Sequence, residues 1–124
     1  MEKTALIISD QLQDLNRMKN WFPKGITVKG VNSFSAVPAA LRSELPSLII
    51  IRVREFDDFF PAYEAIRTTP VTESVPMIAI ADLAIGDALK ENVVLKDTTL
   101  MGSSVTDGYM MRIIGDAMGI HNKE

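Results

Sequence analysis

Few side chains in this sequence have the chemistry to act. The 124 residues include no cysteine, which excludes a thiol nucleophile, a thiolate metal site and a disulfide. The one histidine, His121, stands in the polar tail His121-Asn122-Lys123-Glu124 and reads as terminus. Asp57-Asp58 is acidic but isolated, and reads as a helix N-cap rather than a metal site. Ser103-Ser104 beside Gly102 suggests a phosphate cradle, yet the glycine spacing and lysine of a P-loop are missing. A helix cap is the better reading there. No nucleophile–base pair appears in the sequence, so the chain is not expected to be an enzyme.

The elements that position these residues follow from the apolar pattern. Thr4–Ile8, Leu48–Val53 and Val75–Ala81 are rich in Ile, Leu and Val with little alternation, as in strands covered on both faces. Ile26–Val31 alternates more and suits a strand nearer an edge, and Thr98–Gly102 is a weaker fifth candidate. Helical spacing recurs between them. Leu12, Leu15, Met18 and Phe22 mark one helix. Ser35 caps a second, with Val37, Leu41 and Leu45 inward, and Tyr63 and Ile66 mark a third that ends near Thr69-Pro70. Gly86–Asn92 suits a short fourth helix. Ser104–Asp107 resembles a capping box for a last helix whose inner face carries Met110, Ile113, Ile114 and Ala117. Strands alternating with helices imply right-handed crossovers and a parallel sheet. The expected fold is α/β, a flavodoxin-like (βα)5 three-layer sandwich with strand order 2-1-3-4-5 and its site at the C-terminal strand ends. Residues 1–120 form this domain and 121–124 the tail.

Bulk properties narrow the function. The net charge is -3 with acids and bases interspersed, so no basic stripe offers itself to nucleic acid. No apolar stretch nears the roughly 20 residues that cross a bilayer, and a cytoplasmic location is expected.

Over nearly its whole length the sequence resembles the receiver domain of two-component response regulators. Ala5-Leu6-Ile7-Ile8-Ser9-Asp10 is similar to that family's first strand, which ends in two acidic residues. Pro46 to Val53 resembles the third strand, which carries the phosphoacceptor aspartate. Ile66-Arg67, a proline loop and Val75-Pro76 match the approach to strand four. The resemblance implies that the acidic pair and acceptor aspartate hold Mg²⁺. In this sequence the pair is Ser9 and Asp10, and the acceptor position holds Arg52. The hydroxyl position of strand four is Ala81. The family lysine falls near Ser103, or on Lys96 if the fourth helix is deleted.

A guanidinium is not a nucleophile and stays charged. A like charge at ~4 Å costs ~4 kcal/mol at an effective dielectric of ~20, enough to exclude Mg²⁺. Arg52 therefore has three readings: a counter-ion for Asp10 in place of metal, a solvated rim residue, or an anion-binding donor. The expectation is a pseudo-receiver that needs no phosphate, metal or cofactor and acts through protein–protein interaction. The family's surface from strand four to helix five also suits a homodimer. Tyr109, Met111 and Met118 flank the last helix's core stripe as contact candidates, with Phe56 and Phe60 next. The alternative is a small-molecule or anion sensor at the C-terminal strand rim, with Arg52 and the serines as donors.

Overall fold

The computed structural model describes residues 3–43, 45–92 and 95–119. Five strands, β1 (Lys3–Ile8), β2 (Ile26–Val31), β3 (Leu48–Val53), β4 (Met77–Ala81) and β5 (Thr98–Gly102), form one sheet. The order is β2-β1-β3-β4-β5, and all pairings are parallel. Between them run α1 (Leu12–Lys19), α2 (Val37–Ser43), α3 (Phe56–Thr68) and α4 (Leu83–Asn92), and α5 (Asp107–Ala117) follows β5. This is the expected flavodoxin-like α/β sandwich.

The runs without alternation have two covered faces, as a central parallel strand must. Leu6, Ile8, Ile49, Ile51, Met77 and Ala79 pack under α2, α3 and α4, against Val37, Leu41, Phe59, Ile66 and Leu89. Ala5, Ile7, Leu48, Ile50, Ile78 and Ile80 face α1 and α5, against Leu15, Met18, Trp21, Met110 and Ile114. Successive strand residues alternate between faces. Arg52 has the parity of Leu48 and Ile50, so it leaves the sheet on the α1/α5 side.

Several local expectations change. A 3₁₀ turn over Phe34–Ala36 contains Ser35 and precedes α2, so Ser35 is not its cap. Leu45 lies past α2 and is exposed. Asp57 and Asp58 stand inside the first turn of α3 behind Glu55 at the N-cap, where their charge favours the positive end of the helix dipole. α5 is capped by Thr106, whose hydroxyl accepts from the Tyr109 N–H at 3.2 Å, and not by Ser104.

The buried stripe of α5 follows the i, i+4 row. Met110, Ile114 and Met118 are buried, Ile113 is half-buried and Ala117 is exposed. Met118 is thus core, 2% exposed, and is corrected from a flanking contact residue. It terminates the helix with its N–H on the Ile114 carbonyl, and the chain turns away at Gly119, φ +70°. That left-handed turn suits glycine and lets the last side chain stay inside. Residues 120–124, including His121 and the expected tail, lie outside the described residues.

Candidate functional site

Register brings the candidate residues to one rim. Ile8 lies opposite Ile51, Arg52 opposite Ile80, and Ala81 opposite both Val53 and Gly102. Ser9, Arg52, Ala81 and Ser103 therefore gather at the C-terminal strand ends. Lys96 precedes β5 and sits at the opposite end of the sheet, where its N–H donates to the Tyr63 hydroxyl at 2.8 Å. α4 is present, so Ser103, not Lys96, holds the rim position after β5.

Arg52 does not pair with Asp10. Its guanidinium turns along the strand ends, where Nη1 donates to the Val53 carbonyl at 2.9 Å and to the Ile80 carbonyl at 3.2 Å. Nη2 meets Asp82 Oδ1 at 3.2 Å. Only 15% of the side chain is exposed, which rules out a solvated rim residue. Asp82 also accepts from Ser103, and that bond, then Arg52, holds its carboxyl below the ordinary range. Ala81 is buried and offers no hydroxyl.

The partner of Asp10 is Arg54. Its Nη1 lies 3.3 Å from Asp10 Oδ1 and 2.6 Å from Asp14 Oδ2. Asp14 sits in the first turn of α1 and takes a second hydrogen bond, from the buried Ser9 hydroxyl at 2.7 Å. Ser9 Oγ in turn accepts the Gln11 N–H at 3.1 Å. Burial acts to raise the Asp14 pKa, but the bonds from Arg54 and Ser9 outweigh it and the group is held low. Two carboxylates thus share one guanidinium nitrogen. Arg54, Asp14 and Asp82 had no assigned role in the sequence. Their signals were there: Arg54 shares the parity of Arg52, Asp14 is one helical turn past Asp10, and Asp82 ends the fourth apolar run.

Nearby, Asp107 ties α5 to α1. Its Oδ1 accepts from Trp21 Nε1 at 2.7 Å and from Arg17 Nε at 2.8 Å. A cleft of only about 20 Å³, bounded by Asp14, Arg17, Trp21, Arg52 and Ser103, lies between these groups. It has room for about one water molecule. A wider groove of about 480 Å³ lies between β2 and α2, lined by Lys29 to Ser33 and by Ala36, Ala39 and Ala40, and carries none of these ion pairs. Among the described residues no group of three or more His, Cys, Asp or Glu is placed to hold a metal ion, and no helix is long and apolar enough to cross a membrane.

Solved structures match this arrangement of strands and helices over nearly the whole chain. A signal receiver domain of an HD domain-containing protein from Pseudomonas fluorescens Pf-5 aligns with a TM-score of 0.73 at 16% identity, covering 96% of each chain. The fold is that of a receiver domain. The receiver domain of a sensor histidine kinase from Pseudomonas aeruginosa PAO1, solved with magnesium in its active site cleft, gives 0.72 at 16% identity over 96% of this chain and 99% of that one. A receiver domain from a DNA-binding response regulator of Colwellia psychrerythraea 34H gives 0.72 at 18% identity, over 95% and 99%. No family model and no curated protein matches the sequence. The likeness therefore fixes the receiver fold, and the rim residues carry the argument about chemistry.

The contact candidates divide. Tyr109 and Met111 are 43% and 46% exposed on α5, and Leu83 at the start of α4 is 80% exposed. Phe56 and Phe60 are half-buried and packed on the core, with ring centroids 4.8 Å apart in an edge-on pair. They form part of the aromatic packing around Phe59 more than an open patch.

Proposed function

We propose that the chain is a receiver-like signalling module that works without aspartyl phosphorylation and acts through contact with another protein. The observation that carries this reading is Arg52 in the place of an acceptor, bound to two strand-end carbonyls and Asp82. A guanidinium cannot accept a phosphoryl group, and its positive charge opposes a divalent ion. The remaining rim carboxylates are engaged by cations: Asp10 and Asp14 by Arg54, and Asp82 by Arg52. Ala81 supplies no hydroxyl. In this reading the output does not depend on phosphate and is read by a protein partner. The surface from β4 to α5, with Leu83, Tyr109 and Met111 outward, is the proposed contact, for a different protein or for a second copy. Cytoplasmic residence and the absence of catalysis, nucleic-acid binding and membrane contact belong to the same proposal.

The anion-sensor reading is weaker because Arg52 already has acceptors. An arriving anion would have to displace Asp82 or share the guanidinium with it. Thermal melts separate the two readings. With Mg²⁺ and acetyl phosphate, or with phosphate alone, the midpoint should not move. A sensor at ~100 times its dissociation constant would gain ~2.7 kcal/mol from phosphate alone. A gain that needs both Mg²⁺ and the phosphodonor would overturn the phosphorylation-independent reading.

A further inference from the structure

One receiver domain of this fold holds magnesium in its active site cleft, which raises the question whether the rim of this chain fits such an ion. It does not: Arg52 brings one positive charge to the same cleft as Asp14, and Arg54 sits on the carboxylates themselves. We infer that Arg54 is the resident cation of the corner formed by Ser9, Asp10 and Asp14, and that removing its charge uncovers a divalent-cation site there. The inference concerns the occupancy of the corner and stands whether or not the domain signals.

Three features support it. One nitrogen, Arg54 Nη1, lies within 2.6 Å of Asp14 Oδ2 and 3.3 Å of Asp10 Oδ1, so both oxygens converge on a single point. Convergent carboxylates with a hydroxyl beside them are the donors a hard divalent ion takes, and solvent completes its coordination. The corner is also braced. Ser9 is fully buried, its hydroxyl holds Asp14 Oδ2 at 2.7 Å, and the Gln11 N–H holds Ser9 Oγ at 3.1 Å. Finally, the cation is well seated. The Arg54 side chain is 27% exposed and that of Asp14 20%, so the pair is better shielded than a solvated surface bridge.

A metal ion and this guanidinium compete for the same point. Magnesium demands near-octahedral oxygen ligands at about 2.0–2.1 Å and tolerates no cationic nitrogen among them. In the native chain Arg54 occupies the point where the two carboxylates converge and cancels one of their two charges, which leaves the ion neither the space nor the full charge of the pair. Asp14 comes from α1 and not from the end of β1, so the corner is built from a different acidic pair than the sequence resemblance implies.

The test uses Mn²⁺ as the probe, with free Mn²⁺ followed by electron paramagnetic resonance. The wild-type chain should show no saturable binding. Arg54→Ala should bind one Mn²⁺ saturably, with a dissociation constant on the order of tenfold or more below the highest concentration at which the wild-type chain shows no binding, as removal of a like charge at this distance implies. Adding Asp14→Asn should abolish that gain. Trp21 is the single tryptophan, so its fluorescence in urea checks that each variant is folded. Should Arg54→Ala fold poorly, Arg54→Gln keeps polar packing while losing the charge, and should gain Mn²⁺ binding in the same way. Saturable binding by the wild-type chain overturns the inference. So does a folded, neutral Arg54 variant that binds no better than wild type, or a gain that survives Asp14→Asn.

Discussion

Arg67→Ala is expected to cost about 3 kcal/mol of stability, and to lower the melting midpoint by about 12 °C for a domain of this size. Arg67 lies near the end of α3, and its guanidinium is held by main-chain oxygens from two other segments. Nη1 donates to the carbonyls of Thr72, Glu73 and Val75 at 3.1, 3.2 and 2.9 Å. Nη2 donates to those of Lys96 and Asp97 at 2.8 and 3.1 Å. These oxygens belong to the turn before β4 and the approach to β5, so one side chain joins both strand entries to α3. Asp97 has φ 50°, a left-handed conformation that most residues avoid and that aspartate tolerates better than most. Its carbonyl also accepts the Met77 N–H at 2.9 Å, so losing Arg67 loosens the start of β4 as well. Single bonds to charged groups contribute about 1.5–3 kcal/mol, and several on one guanidinium do not add fully. The buried Nε has no acceptor among the described residues, which lowers the sum further. Arg67→Lys should recover less than half, because an ammonium cannot span both segments. Urea melts measure the effect, and a loss below about 1 kcal/mol would show that the turns hold themselves.

The second large effect separates the two faces of α5. Met118→Ala should destabilise the domain by about 2–5 kcal/mol, in the range of Ile114→Ala. Both side chains are buried against α1 and the sheet, and truncation leaves a cavity that a parallel sheet closes only in part. Tyr109→Ser and Met111→Ser should each stay within about 0.5 kcal/mol, because those side chains stand mostly in solvent. If this face docks a partner, the same two changes should weaken binding much more, since aromatic anchors at interfaces often carry above about 2 kcal/mol. Denaturation midpoints that rank Tyr109→Ser or Met111→Ser beside Met118→Ala would contradict this division and make the outer face structural.

These two sites also show where the sequence was legible. β3 coincides with its apolar run, because a strand covered on both faces must be continuously apolar or nearly so, and the edge strands β2 and β5 coincide with their more mixed segments. β4 starts at Met77 and not at Val75, since Pro76 has no N–H to enter the ladder. The rim positions of Ser9, Arg52, Ala81 and Ser103 followed once the strand ends were known. Their partners did not follow. Whether Arg52 reaches Asp10 or Asp82 depends on which strand-end carbonyls its guanidinium meets, and chain order does not specify that. The Ser104–Asp107 pattern fits a capping box, but Asp107 is held by Arg17 of α1 and by Trp21 just after it, contacts 90 and 86 residues away in the chain. Met118 was misplaced for a related reason. The i, i+3 and i, i+4 rows of a short helix are equally consistent with its apolar residues, and the packing of α1 chooses between them.

The claim that the rim accepts no phosphoryl group is tested most directly by the intact mass of the wild-type chain after incubation with acetyl phosphate and Mg²⁺. Arg52→Asp, run beside it, restores an acceptor but leaves Ala81 without a hydroxyl and Ser103 without an ammonium, so slow and partial labelling is expected there. For the wild-type chain the account predicts an unchanged mass. A stoichiometric gain of one phosphoryl group, mapped to Asp10, Asp14 or Asp82, would contradict it.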